Sequence, residues 1–348
     1  MNKLFIALLI FVPVAVGARF TAVSPVIVFF LSAVAVVPLA KFVGQSTEEL
    51  ATRTTPALSA LLNASFGNAT ELIIGIFALK AGLIEVVKAA IAGSIISNLL
   101  LVLGVAMFVG GLRREKQTFN RTGILAQSST LFLVTIALVV PAIFFETAGE
   151  SGAPAVEGLS VLVSVVLACM YGATLLFSLY THKHLYLEEA GKLRPRWSAS
   201  RSITTLVFAT LAVAEMSDTL VNSIEPLVAR LGWSELFVGV IFVAIIGNAA
   251  EHLSAVIVAR KNRMDLALQI SIGSATQIVM VVAPLLVILG AFLGQPMNLV
   301  FSTFELVAMV LAVIIVNFVV QDGESNWLEG LQLLAAYVIM AIAFFLHP

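Results

Sequence analysis

The sequence predicts an all-α protein that crosses a membrane about eleven times, and three observations support this fold class. First, 60% of the 348 residues are hydrophobic and only 11% are charged, whereas soluble domains carry roughly a quarter charged residues. Second, the mean hydropathy is +1.07, a value typical of chains built from apolar membrane helices. Third, one polar phrase occurs twice inside apolar sequence, which indicates two related halves.

Apolar runs bounded by charged residues, glycine or proline give the predicted helices. In chain order these spans cover residues 4–19, 23–43, 57–79, 84–110, 122–145, 157–181, 202–224, 235–259, 264–293, 299–320 and 328–346. The first run follows Lys3 and precedes small residues, so a cleaved signal peptide is the alternative there. We favour a retained first span because the sidedness of the basic residues depends on it.

The basic residues are distributed unevenly over the predicted loops. With the N-terminus in the cytoplasm, all of the 19 Lys and Arg residues except Arg19, Lys80, Lys88 and Arg230 fall on the cytoplasmic side. The positive-inside rule therefore predicts a cytoplasmic N-terminus and an external C-terminus. The net charge of −1 gives no sign of a nucleic-acid partner, and the lipid bilayer is the partner that the composition implies.

The duplication predicts the domain organisation. A leading helix at 1–22 precedes a first five-helix repeat at 23–181, a charged cytoplasmic linker at 182–201 and a second five-helix repeat at 202–348. Because each repeat has an odd number of spans, the two repeats must have opposite orientations in the membrane. Inverted repeats with a binding site near the bilayer midplane are typical of secondary transporters.

The repeated phrase is Gly-Asn-Ala-x-Glu, at 67–71 and again at 247–251. A Gly-Ser pair follows each phrase, at 93–94 and at 273–274. The glycine before each Asn marks a place where backbones approach closely or where a helix breaks. A carboxylate at the centre of a membrane helix costs roughly 2.5–3.5 kcal/mol, so two at matching positions indicate function. The phrase therefore predicts a cation site between the repeats.

The candidate ligands are all oxygen donors. They are Glu71, Glu251, Asn68, Asn248, Ser94 and Gln277, with Ser97, Asn98 and Ser274 beside them. Oxygen ligands with two negative charges suit calcium, whereas zinc or copper would recruit thiolates or imidazoles, and this chain has one cysteine and four histidines. The alternative is that the neutral polar residues only hold helices together by hydrogen bonds. We expect calcium as a transported ion and no resident cofactor.

Other titratable residues are candidates for proton coupling. His252 follows Glu251 and is either a proton-responsive neighbour or a packed interior histidine. Glu48 on one face, and Asp218 with Glu215 on the other, are candidate vestibule carboxylates that attract cations or relay protons. The acidic segment 322–326 lacks the spacing of an EF-hand loop, and we expect a solvated turn there.

Several motifs together resemble the calcium/proton antiporters of the calcium/cation antiporter superfamily. These are GNATELI at 67–73, GNAAEH at 247–252, SDTLV at 217–221, GSATQ at 273–277 and DGESNWLEG at 322–330. The resemblance implies one leading helix plus two inverted five-helix units, with Glu71 and Glu251 shared by calcium and protons. The chain departs from the pattern at Ser217-Asp218, where those antiporters usually have Ser-Glu.

The function expected from these observations is calcium/proton antiport by alternating access, without enzymatic activity. Sodium/calcium exchange or exchange of another divalent cation on the same architecture is the alternative, and a cation channel is a further one. The short linker and the lack of added domains favour a prokaryotic plasma membrane.

Overall fold

The structure is a computed structural model that describes residues 3–149, 153–182 and 195–347. Nearly all of the described chain is helical. In chain order the helices are α1 Lys3–Leu8, α2 Phe11–Arg19, α3 Pro25–Ala51, α4 Pro56–Gly67, α5 Ala69–Lys80, α6 Ile84–Gly111, α7 Arg121–Ala148, α8 Pro154–Thr181, α9 Ala199–Val221, α10 Ile224–Leu231, α11 Glu235–Arg260, α12 Met264–Phe292, α13 Thr303–Val319 and α14 Trp327–Leu346.

The helices confirm the predicted polytopic all-α fold. Eight of the described helical segments are long and apolar enough to cross a membrane, and Leu4–Arg19 and Thr303–Val319 are shorter apolar helices. The predicted first span is divided into α1 and α2, because Pro13 cannot donate a hydrogen bond to the carbonyl of Leu9. The predicted third span is divided into α4 and α5 at Asn68.

Helices α6 and α11 run side by side in the same direction. The residue numbers of the contacting pairs increase along both helices together. Ala89 lies against Gly239, the Asn98 amide bonds to Asn248, and Gly110 lies near Ala259. The α5–α6 connection is a three-residue turn at 81–83, so α5 runs opposite to α6. It follows that α5 and α11, which carry the two copies of the polar phrase, run in opposite directions.

Helices α6 and α11 pack through small residues. A methyl group added at Gly93 would lie 2.1 Å from the carbonyl oxygen of Val240, and one at Gly239 would lie 2.5 Å from the Ala89 Cβ. Only glycine at these positions allows the backbones to approach so closely, which is the usual way that membrane helices gain packing contact. This close packing holds the two polar phrases within reach of each other.

The helices at the centre of the bundle are buried and carry the polar residues, whereas those at the periphery expose apolar side chains. The apolar window of α6 is 83% buried, whereas that of α8 is 17% buried. Large apolar side chains such as Phe208, Phe318 and Ile339 are exposed on the outside of the bundle. A continuous apolar exterior over helices with satisfied backbones is what a hydrocarbon environment requires.

One end of the bundle carries most of the basic residues, and we call it the basic end. It comprises the C-terminal ends of α3, α6 and α11, the N-terminal ends of α7 and α12, and the loops between them. Here Arg114 donates to the carbonyl oxygens of Gly110 and Arg260, at 2.7 and 3.3 Å. These bonds join the α6–α7 loop to the end of α11.

The acidic segment 322–326 is not the solvated turn that the sequence predicts. Its residues Glu324–Ser325 form a short strand, β2, that pairs antiparallel with β1 at Gln117–Thr118. Ser325 and Gln117 are buried, and the Gln117 amide donates to Ala259 O and Asn262 Oδ1. The strand that pairs with this segment lies in a loop about 200 residues earlier in the chain. The segment's own sequence therefore does not predict the pairing.

Candidate functional site

The two copies of the polar phrase have different backbone conformations. In the first copy α4 ends at Gly67 and α5 begins at Ala69, with Asn68 between them at φ −103° and ψ 26°. In the second copy α11 continues without interruption through Gly247 to Arg260. The helix break that the glycine predicts is therefore present in the first half only.

The helices that carry the Gly-Ser pairs are distorted at equivalent positions. The backbone of α6 widens into a π-helical segment at Ser97–Val102, and that of α12 does so at Ile278–Val282. Such wide turns inside α-helices are frequently found at functional sites. Asn98 lies within the first wide segment and Gln277 directly precedes the second, and both side chains contact residues of the phrases.

The two carboxylates approach the same region from opposite halves. A methyl group at Gly247 would lie 3.0 Å from Glu71 Cγ, and one at Gly67 would lie 3.9 Å from Glu251 Oε1. Glu71 therefore occupies space that the glycine of the second phrase leaves open, and Glu251 lies within van der Waals contact distance of a methyl group at the glycine of the first phrase. This reciprocal contact places the two negative charges at one interface between the halves.

Amide side chains join the two halves around the carboxylates. The Asn68 amide donates to Gln277 Oε1 at 2.7 Å. On the other side Asn98 Nδ2 donates to Asn248 Oδ1 at 3.0 Å, and Asn248 Nδ2 donates to Ser94 Oγ at 2.9 Å. The Ser274 hydroxyl donates to Glu251 Oε2. All the predicted ligand residues thus lie in one cluster.

Three buried acceptor oxygens in this cluster have no hydrogen-bond partner within the described ranges: Asn68 Oδ1, Glu71 Oε2 and Asn98 Oδ1. Buried polar atoms are normally satisfied, and each of these oxygens is free to accept from a donor or to ligate a cation. Within the described residues, no three His, Cys, Asp or Glu side chains lie close enough together to hold a metal ion. Any cation held here would therefore be bound by two carboxylates together with amide and hydroxyl oxygens.

A cavity of about 250 Å³ connects the cluster to the basic end. Its lining includes Glu251, Gly67, Ser274 and Gln277 at the inner end and Glu48 towards the opening. On the other side of the cluster the space beside Glu71 and Ser94 is only about 20 Å³ and is lined mainly by apolar residues. Among the described residues, the cluster thus borders a large cavity towards the basic end and a small, mainly apolar space on its other side.

The remaining predicted residues lie in different surroundings. His252 is partly buried, and its Nε2 has no hydrogen-bond partner in the part of the chain that the structure describes. Glu215 and Asp218 line neither of these two cavities. Instead both are partly exposed and pair with the Arg19 guanidinium of α2, at 3.2 and 2.7 Å. The single positive charge of Arg19 on α2 is therefore shared by the two carboxylates that we considered for the second vestibule, and it offsets part of their negative charge.

The cavity lining includes residues that were not expected from the sequence, among them Lys41 on α3 and Gln269 on α12. Lys41 counts in the sequence only as one more basic residue near a helix end. A signal was available in the polar positions Thr47 and Glu48, which lie about two turns further along the same helix, but it does not show which face of α3 meets the other half.

A comparison with family profiles matches the chain twice, at residues 24–180 and 201–346, to the family described as sodium/calcium exchanger protein. Among curated relatives, the chain is 45% identical to the Ca(2+)/H(+) antiporter of Aphanothece halophytica, with 100% of this chain and 97% of that protein covered. It is 44% identical to the Ca(2+)/H(+) antiporter ChaA of Bacillus subtilis, with coverages of 99% and 100%.

Solved structures show the same architecture. The chain aligns with the structure of native YfkE at a TM-score of 0.87 and 41% identity, covering 99% of this chain and 100% of that one. The fold alone is shared with the H+/Ca2+ exchanger CAX, at a TM-score of 0.72 and 14% identity over 99% and 91% of the two chains.

Proposed function

Since this chain belongs to the sodium/calcium exchanger protein family, we propose that it is a secondary transporter that exchanges calcium for protons across a membrane. The relatives named Ca(2+)/H(+) antiporters align over the whole of its length. The observation that carries the proposal is the meeting of Glu71 and Glu251, which come from oppositely directed helices and pack against each other's phrase glycine.

The proposed calcium ligands are the oxygens of Glu71, Glu251, Asn68, Asn248, Ser94 and Gln277. Calcium accepts six to eight oxygen ligands in flexible geometries, and a carbonyl oxygen that accepts one hydrogen bond keeps a second lone pair. The hydrogen bonds from Asn68 to Gln277 and from Asn98 to Asn248 therefore leave coordination capacity at each acceptor. The oxygens without a partner supply the rest.

Charge explains why the two ions exchange. Two ionised carboxylates enclosed in a low-dielectric site without a counter-charge cost several kcal/mol, of order 2–4 for each. One calcium ion or two protons remove that charge. If only a neutralised site can close on one side and open on the other, calcium bound on one side must be replaced by protons from the other.

The unequal cavities support alternating access. The 250 Å³ cavity reaches Glu251 from the basic end, and the space on the other side of the cluster is only about 20 Å³ and mainly apolar. Opening the second side while closing the first would expose the same site to the other compartment. His252, Glu48, Glu215 and Asp218 remain candidates for proton coupling and for ion attraction at the two faces.

For the orientation, we propose a prokaryotic plasma membrane with the N-terminus and the basic end in the cytoplasm and the C-terminus outside. The chain has a single cysteine, Cys169, so a Cys169→Ser background allows single-cysteine labelling. In intact cells a membrane-impermeant maleimide should label Lys80→Cys and should spare Lys261→Cys. Labelling in the opposite order would reverse the orientation.

The function is tested in proteoliposomes that contain the purified protein. Calcium uptake should follow an imposed pH gradient without sodium and should collapse with a protonophore. Glu71→Gln and Glu251→Gln should each abolish exchange, whereas Glu225→Gln, which changes an exposed carboxylate of α10, should preserve it. Uptake that ignores the pH gradient but follows a sodium gradient would assign the chain to sodium/calcium exchange, and uptake that follows neither would indicate a channel.

A further inference from the structure

The cavity that leads to the candidate site contains a lysine. Lys41 of α3 lines this cavity together with Glu48 and Glu251. Its ammonium group donates to the Ser254 hydroxyl of α11 at 3.2 Å, and that hydroxyl donates in turn to Ala250 O at 2.9 Å. A positive charge is thus fixed in the space through which a cation must pass.

Helix geometry places this charge between the opening and the carboxylate. Ser254 lies three residues beyond Glu251, on the same face of α11 and about 4.5 Å nearer the basic end. The Lys41 ammonium bonds to that hydroxyl, so a cation that enters from the basic end passes it before reaching Glu251.

The charge of Lys41 is not cancelled locally. Among the described residues Lys41 forms no ion pair, and its hydrogen-bond partner is neutral. The charged residues lining the cavity are Glu48 and Lys41 from α3 and Glu251 from α11, while α4 and α12 contribute uncharged side chains. The field of the ammonium group therefore acts directly on an ion in the cavity.

We propose that Lys41 is a specificity-determining residue that weakens the binding of divalent cations from the basic end. Coulomb repulsion is proportional to the charge of the ion, so Lys41 opposes calcium twice as strongly as it opposes a proton or a sodium ion. Its effect is confined to the side on which the cavity opens. This inference rests on the proposed cation exchange at Glu71 and Glu251.

The expected size of the effect follows from distance and solvation. An ion at Glu251 lies roughly two helical turns or less from the ammonium group, and the cavity admits water, so the effective dielectric constant is high. Under these conditions removal of one positive charge changes the affinity for a divalent ion about three- to tenfold.

The test compares calcium KM from the two faces of the protein in oriented membrane vesicles. With the basic end exposed to the calcium solution, Lys41→Gln should lower KM about three- to tenfold, and KM from the opposite face should stay unchanged. Lys41→Arg, which keeps the charge, and Ser254→Ala, which removes only the hydrogen bond, should both keep the wild-type KM. A Ser254→Ala effect equal to that of Lys41→Gln would instead indicate a structural role.

The inference is overturned if Lys41→Gln leaves the basic-end KM unchanged, or if it shifts KM equally from both faces. Wild-type exchange in the same vesicles separates this failure from a failure of the proposed function. Calcium titration calorimetry of the detergent-solubilised wild type and Lys41→Gln provides a readout without transport. Equal dissociation constants there would also refute the role of Lys41.

Discussion

The two phrase glycines make a matched pair for testing the site, because the structure predicts different results for the same change. An alanine methyl at Gly247 would lie 3.0 Å from Glu71 Cγ, whereas carbon atoms in favourable contact are about 3.5–4.0 Å apart. At Gly67 the nearest atoms to an added methyl are Gln277 Oε1 at 3.8 Å and Glu251 Oε1 at 3.9 Å. Ordinary van der Waals contact is therefore kept at Gly67 and lost at Gly247.

The size of the expected effect follows from the displacement that the methyl requires. Glu71 must move by a few tenths of an ångström in Gly247→Ala to relieve the contact. A misplacement of about 1 Å in a functional constellation can cost on the order of a hundredfold in rate. We expect Gly247→Ala to slow proton-driven calcium uptake severalfold, up to about tenfold, whereas Gly67→Ala stays within about twofold of wild type.

Initial uptake rates in proteoliposomes with equal amounts of monodisperse protein measure the difference. Equal melting temperatures of the two variants would show that the loss is local to the site. Wild-type rates in Gly247→Ala, or equal losses in the two variants, would refute the argument that Glu71 packs against the phrase glycine of the second half.

Three further predictions concern stability. Gly93→Ala should prevent recovery of folded protein, since its methyl would meet the Val240 backbone oxygen at 2.1 Å and backbone cannot yield cheaply; normal size-exclusion behaviour would contradict this. Asn248→Ala should destabilise the detergent-solubilised protein by about 1–3 kcal/mol, which is more than we expect for Asn68→Ala. The reason is that Asn248 bonds to Ser94, Asn98 and Ala244, whereas Asn68 donates a side-chain bond to Gln277. A lower melting temperature for Asn68→Ala than for Asn248→Ala would contradict this. The hydrogen bond to Glu324 raises the pKa of Lys116 above its usual value, so the stability from this pair is fully present below about pH 10.4 and is lost as the pH rises through the higher folded-state value. The melting-temperature difference between wild type and Lys116→Met should therefore stay constant from about pH 6 to 9 and shrink above about pH 10.5.

The sequence by itself determined the class of protein and the approximate positions of its apolar helices. The insertion energy of a membrane helix depends on the composition of about 20 consecutive residues, so the apolar runs could be located without knowledge of their neighbours. The same holds for the chemistry of the candidate ligands, since two carboxylates inside apolar runs and a set of amides near them can be read directly from the chain.

The tertiary structure decided how the helices meet, because the distances between halves depend on packing that no local pattern encodes. The first phrase breaks its helix at Asn68 while the second continues through Gly247, although the two phrases differ in only one of their five residues. The ion pair of Asp218 with Arg19 and the position of Lys41 in the cavity likewise join residues far apart in the chain. The distribution of basic residues assigns Arg19 and Lys41 to a side of the membrane. Only the packing of the helices shows which side chains and which cavity they face.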